Sequence, residues 1–100
     1  MKLEQSVELG LLFDCYGKLL TEKMQNILTM YIFDNMSYQE IAEYFNISKP
    51  AVLDAIKTSE KKLLELEDKI GMLNLKRNIG KILQENNNVK EKLTMLLKEY

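Results

Sequence analysis

Two helix-start signals stand eleven residues apart in the middle of this chain, leaving room for little between them except one short helix and a tight turn. Ser37-Tyr38-Gln39-Glu40 has the form of a capping box. In such a box the Ser hydroxyl accepts the amide of the third helical residue, while the Glu side chain reaches back to the cap amide. The second signal is Ser48 with Pro50 close behind it. In a first helical turn, proline's fixed φ and missing N–H do no harm. Asn46 lies between the two signals, and Asn tolerates the left-handed conformation that a tight turn requires. The pattern predicts a short helix at roughly 38–45 and a second helix capped by Ser48.

Apolar residues fall where two such helices would touch. Ile41, Ala42, Phe45, Ile47, Val52 and Ala55 supply an inner face, with the small Ala42 where the backbones approach. This is the arrangement of a helix-turn-helix, spanning roughly 38–58. The outer face of its second helix then carries Lys49, Pro50, Leu53, Asp54 and Lys57.

The rest of the chain reads as helix too. Val7, Leu11, Leu12, Cys15, Tyr16, Leu19 and Leu20 suggest one stripe of a first helix at roughly 5–19. Thr21 is the expected cap of a second helix at about 22–34, with Glu22 near its positive end. Met24, Ile27, Leu28, Tyr31 and Ile32 form that helix's apolar face, and Asp34-Asn35 closes it. Beyond the motif, Val52, Ile56, Ser59, Leu63, Leu66, Ile70 and Leu73 repeat at alternating spacings of four and three, a heptad-like seam. Gly71 is one candidate break in it. After a phase slip the seam resumes through Leu75, Ile79, Ile82, Asn86, Val89, Leu93, Leu96 and Tyr100. Asn86-Asn87-Asn88, a cluster of helix-weak residues, divides this stretch into helices ending near 85 and running over about 89–99. The expected organisation is a helical domain at 1–70 and a helical extension at 71–100. That extension packs in cis or on a second subunit, and the length of the seams points to a homodimer.

Composition removes several classes of chemistry. The chain has no histidine and one cysteine, so imidazole metal sites, thiolate clusters and Ser–His or Cys–His nucleophiles are out of reach. Cys15 is expected to be a small buried hydrophobe. With no phosphate-cradling glycine loop and no clustered carboxylate pair, neither an enzyme nor a cofactor is expected. No run of about 18 apolar residues is present and Glu4, Glu8 and Asp14 interrupt the N-terminal apolar residues, which argues for a cytoplasmic protein without membrane insertion.

Charge is unevenly placed. Residues 1–47 hold three lysines against seven acids, a net −4, whereas residues 69–100 hold seven bases against three acids, a net +4. A polyanion would be drawn to the C-terminal end. The candidate nucleic-acid-binding residues are Ser48, Lys49, Leu53, Lys57, Lys61 and Lys62, with Glu60 and Glu65 tempering the lysines. A secondary basic patch is formed by Lys76, Arg77 and Lys81, of which 77 and 81 share a helix face.

Leu20-Thr21-Glu22-Lys23, Met36 through Glu43, Ile47-Ser48 and Ala51-Val52 together resemble region 4 of the sigma factors. A closer likeness is to the YlxM family of small bacterial helix-turn-helix proteins. It starts at Leu12-Phe13-Asp14-Cys15-Tyr16, runs through Asp54-Ala55-Ile56-Lys57, and covers about two thirds of the chain. The resemblance implies an all-α fold: a sigma region 4-like helix-turn-helix of the winged-helix-like superfamily, without the wing, carrying additional C-terminal helices. It also implies a regulatory or accessory role in the signal recognition particle pathway. The implied partners are the particle's GTPases and nucleic acid, either DNA or the particle's RNA. The family pattern has Arg-Gln at 49–50, Tyr at 53, Asn at 55 and Arg at 58, where this chain has Lys49-Pro50, Leu53, Ala55 and Thr58. Each change removes a planar donor or an aromatic ring of the kind that reads base edges.

Overall fold

Side-chain caps set where the helices begin. In the computed structural model, which describes residues 3–85 and 89–99 with side chains from Ser6 onward, helix α1 spans Leu3–Tyr16 and is followed by a single 3-10 turn, Gly17–Leu19. Helix α2 (Glu22–Ile32) starts at Thr21, whose Oγ1 accepts the Met24 amide at 3.2 Å. Helix α3 (Tyr38–Phe45) starts at the capping box: Glu40 N donates to Ser37 Oγ at 3.1 Å, and Ser37 N donates to Glu40 Oε1 at 3.0 Å. The bond from the Ser37 amide and, after it, the Ser37 side chain hold the Glu40 carboxyl below the usual carboxylate range. Helix α4 (Lys49–Ile70) starts at Ser48, whose Oγ accepts the Ala51 amide at 3.1 Å. Helices α5 (Met72–Glu85) and α6 (Val89–Glu99) follow. All regular structure among the described residues is helical. Asn86–Asn88 and Tyr100, expected as a divider and the end of the seam, lie outside the described residues.

The chain divides into two compact units, Met1–Ile70 and Gly71–Tyr100. In the first, α4 packs against α1, α2 and α3. Its seam residues Val52, Ile56, Ser59 and Leu63 are buried together with Leu9, Leu12, Tyr16, Leu20, Ile27, Leu28, Ile41 and Ala42. Ser59 Oγ finds no hydrogen-bond partner among the described residues, so this position serves as a small core residue. Tyr16 Oη donates to Glu67 Oε1 at 2.6 Å and ties the end of α1 to the last third of α4.

Three expectations need correction. The face that α1 buries is Leu9, Leu12 and Tyr16, while Val7, Leu11 and Leu19 are exposed. Apolar residues surround this helix on every side, so its spacing pattern carries little phase information. The 3-10 turn then moves Leu19 and Leu20 off the α-helical repeat. Cys15, expected to be buried, is half-buried. Farther along, the seam does not run on through Ile70: that residue is half exposed, and Gly71, with φ 74°, separates α4 from α5.

Candidate nucleic-acid or partner interface

The turn between α3 and α4 fixes the aim of α4. Asn46 adopts φ 54°, ψ 47°, and the bonds Ile47 N to Ala42 O (3.0 Å) and Asn46 N to Glu43 O (3.3 Å) form a Schellman turn. Ile41 and Ala42 on one side and Val52 and Ile56 on the other are buried, so the two helices meet through the expected inner face. Phe45, Ile47 and Ala55 are half-buried at its margin.

Of the candidate contact residues, Ser48, Lys49, Lys57, Lys61 and Lys62 are exposed, whereas Leu53 is half-buried. Ser48 is occupied as a cap. Lys57 and Lys61 share a face at i, i+4. Lys62, five residues beyond Lys57, lies about 140° round the helix and belongs to the opposite flank. Lys57 and Lys61 line an open groove of about 550 Å3 with Glu60, Leu64, Glu65 and Asp68. The acids there outnumber the lysines, and α4 as a whole carries five bases and five acids. Such a surface offers a polyanion no net attraction.

The secondary patch is also divided. Lys76, Arg77 and Lys81 are all exposed on α5. Lys81 lines a groove with Glu85, four residues on along α5, and with Glu99 of α6. Consecutive residues on a helix do not face the same way, so Lys76 and Arg77 diverge.

One feature of the site has no local signal in the sequence. Tyr31 on α2 and Tyr38 on α3 stack with ring centroids 5.2 Å apart and hydroxyls 3.0 Å apart. Burial first, then the Tyr38 hydrogen bond, the Tyr38 charge and the Glu60 carboxylate on α4, push the Tyr31 phenol from 10.0 up to about 12. The folded protein therefore keeps this proton longer than the unfolded chain does. The stabilisation is complete below about pH 10 and is lost as pH rises toward 12. In an ultraviolet titration the Tyr31 phenol is expected to ionise late, and Tyr31→Phe to diminish the late part of the curve. A single uniform transition near pH 10 in the folded wild type would contradict the geometry.

Among the described residues no group of His, Cys, Asp and Glu side chains is placed to hold a metal ion, and no helix is long and apolar enough to cross a membrane.

Capping box, left-handed Asn46 turn and buried α3–α4 contact together make the middle of unit 1 a helix-turn-helix, and comparison with known sequences agrees. Residues 3–99 match the family described as "Putative helix-turn-helix protein, YlxM / p13 like" (UPF0122). The chain belongs to this family. A UPF0122 protein of Clostridium kluyveri is 42% identical over 77 residues, covering 77% of this chain and 69% of the relative. One from Bacillus mycoides is 39% identical, covering 97% of this chain and 82% of the relative. One from Clostridium botulinum is 36% identical, covering 98% and 91%. The UPF0122 match extends through α5 and α6, beyond the two thirds of the chain over which motifs are recognisable.

Proposed function

We propose that this UPF0122 protein is a cytoplasmic regulatory or accessory protein whose helix-turn-helix contacts a protein or ribonucleoprotein component of the signal recognition particle pathway, acting without catalysis. The observation that carries this reading is the exposed face of α4. It has the geometry of a recognition helix, yet it is charge-balanced and has Leu64, Pro50 and Asp54 in the open. A partly apolar, evenly charged helix face suits a protein surface better than a phosphate backbone. The pathway assignment is supported by the likeness to the YlxM family. Within it, Lys76 and Arg77 are the residues to hold RNA phosphates. Unit 1 makes the protein contact, and the C-terminal helices join two copies into a homodimer.

Co-purification from native lysate, with identification of bound protein and sequencing of bound nucleic acid, tests the proposal. Recovery of the particle's GTPases or its RNA is expected, and recovery of neither would overturn it. A second reading, DNA binding through Ser48, Lys49, Leu53, Lys57, Lys61 and Lys62, draws on the exposure of the five polar members of that set. It requires duplex binding that weakens steeply with salt. No retention at about 50 mM salt, with the Lys49/Lys57 double alanine behaving as wild type, would remove it.

A further inference from the structure

The homodimer proposed above still lacks an assigned surface, and unit 2 supplies one. Helices α5 and α6 pack antiparallel, and Lys92 pairs with Glu85. The unit spans residues 71–100, and below about 40 residues a chain does not usually bury enough apolar surface to stay folded unaided. Its packing reflects that shortage. Leu75, Ile79, Ile82, Val89 and Leu93 are all only half-buried, and Met95 is 62% exposed. A heptad-spaced seam left open in this way lacks its other side.

Beside the seam, and sharing Ile82 and Leu96 with it, a groove of about 360 Å3 runs along both helices, and the order of its residues indicates what fits it. On α5 the lining reads Asn78, Lys81, Ile82, Glu85; on α6 it reads Lys92, Met95, Leu96, Glu99. Because the helices are antiparallel, Asn78 and Glu99 lie at one level, Ile82 and Met95 at the middle, and Glu85 and Lys92 at the other end. Across the groove Glu85 faces Lys92 at one end, Asn78 faces Glu99 at the other with Lys81 one turn inward, and Ile82, Met95 and Leu96 make an apolar centre. The groove is therefore self-complementary, which a two-fold contact between identical chains demands.

We infer that two copies of unit 2 close into an up-down-up-down four-helix bundle about a two-fold axis parallel to the helices, with α5 of each copy against α6 of the other. Neighbouring helices are then antiparallel throughout, as in other bundles of this topology. Ile82 packs on Met95 of the partner copy. Lys81 reaches Glu99 of the partner copy, one turn away along the axis, and the two-fold repeats the contact. Asn78 is a polar residue at the edge of an otherwise apolar seam, the kind of position that sets register in paired helices.

The test is sedimentation equilibrium on the full chain with Lys81→Glu, Glu99→Lys and the double exchange, helicity being checked for each by circular dichroism. Wild type is expected to be dimeric at about 100 μM. Each single reversal replaces two attractions with two repulsions and is expected to raise the dimer Kd about tenfold, and the double exchange to return it to within about threefold of wild type. A monomeric wild type would overturn the homodimer itself and this surface with it. A dimeric wild type whose Kd ignores the single reversals, or singles that the double exchange does not rescue, would overturn the surface alone. Neither result bears on capture of targeting components from lysate.

Discussion

Leu63→Ala is expected to destabilise unit 1 by about 2–5 kcal/mol, while Leu64→Ala beside it costs less than about 1 kcal/mol. The two leucines are adjacent on α4, so helix propensity changes equally in both variants. Burial separates them: Leu63 is 0% exposed on the seam that packs against the N-terminal helices, and Leu64 is 48% exposed on the rim of the charged groove. Removing the Leu63 side chain leaves a cavity in the core of unit 1, whose close packing limits collapse. A unit of about 70 residues has only about 4–10 kcal/mol of total stability, so this one change brings it close to unfolding. Urea denaturation followed by circular dichroism measures both. Equal losses from the two variants would mean that α4 is rotated from the orientation described. Leu64→Ala has a second use: if the α4 groove contacts a targeting component, this variant weakens capture while leaving the fold intact.

How much of this was legible beforehand depends on how local the cause is. Helix starts at Thr21, Ser37 and Ser48 and the left-handed turn at Asn46 were readable because each is decided by a few consecutive residues. Their caps bond amides three positions on, and sequence spacing is spatial spacing at that range. The buried seam Val52, Ile56, Ser59 and Leu63 was readable because the opposite face of α4 is polar. The phase of α1 was not, since a helix with apolar residues on every side can bury any of them. Which face wins is decided by distant partners such as Phe33, whose ring centroid lies 5.8 Å from that of Phe13. For the candidate site the same division holds. Exposure of Lys49, Lys57 and Lys61 follows from the seam. That Lys81 shares a groove with Glu99, or that Glu60 lies near the stacked Tyr31 and Tyr38, depends on how separate helices come together.

The Tyr16–Glu67 bond is the clearest long-range tie of this kind, and its strength can be measured. Tyr16 is buried and its hydroxyl donates to a half-buried carboxylate at 2.6 Å, the short distance of a charge-assisted bond. Tyr16→Phe keeps the ring and its packing but removes the donor, and is expected to cost about 1.5–3 kcal/mol. Both side chains also take part in other interactions, so neither single substitution isolates the pair. A double-mutant cycle with Glu67→Ala does, because effects on those other partners cancel around it. With the Glu67 acceptor gone, the loss from Tyr16→Phe should shrink in the Glu67→Ala background, leaving a coupling of about 1 kcal/mol or more. Strictly additive losses would mean that the two groups do not bond in solution. Coupling of the expected size would have a further consequence for α4. The bond anchors the last third of that helix to the end of α1, beyond the point where the apolar seam thins out at Leu66 and Ile70. Cutting it should therefore fray α4 from its C-terminal end, raising amide exchange there first and leaving the Ser48 end and the turn at Asn46 protected.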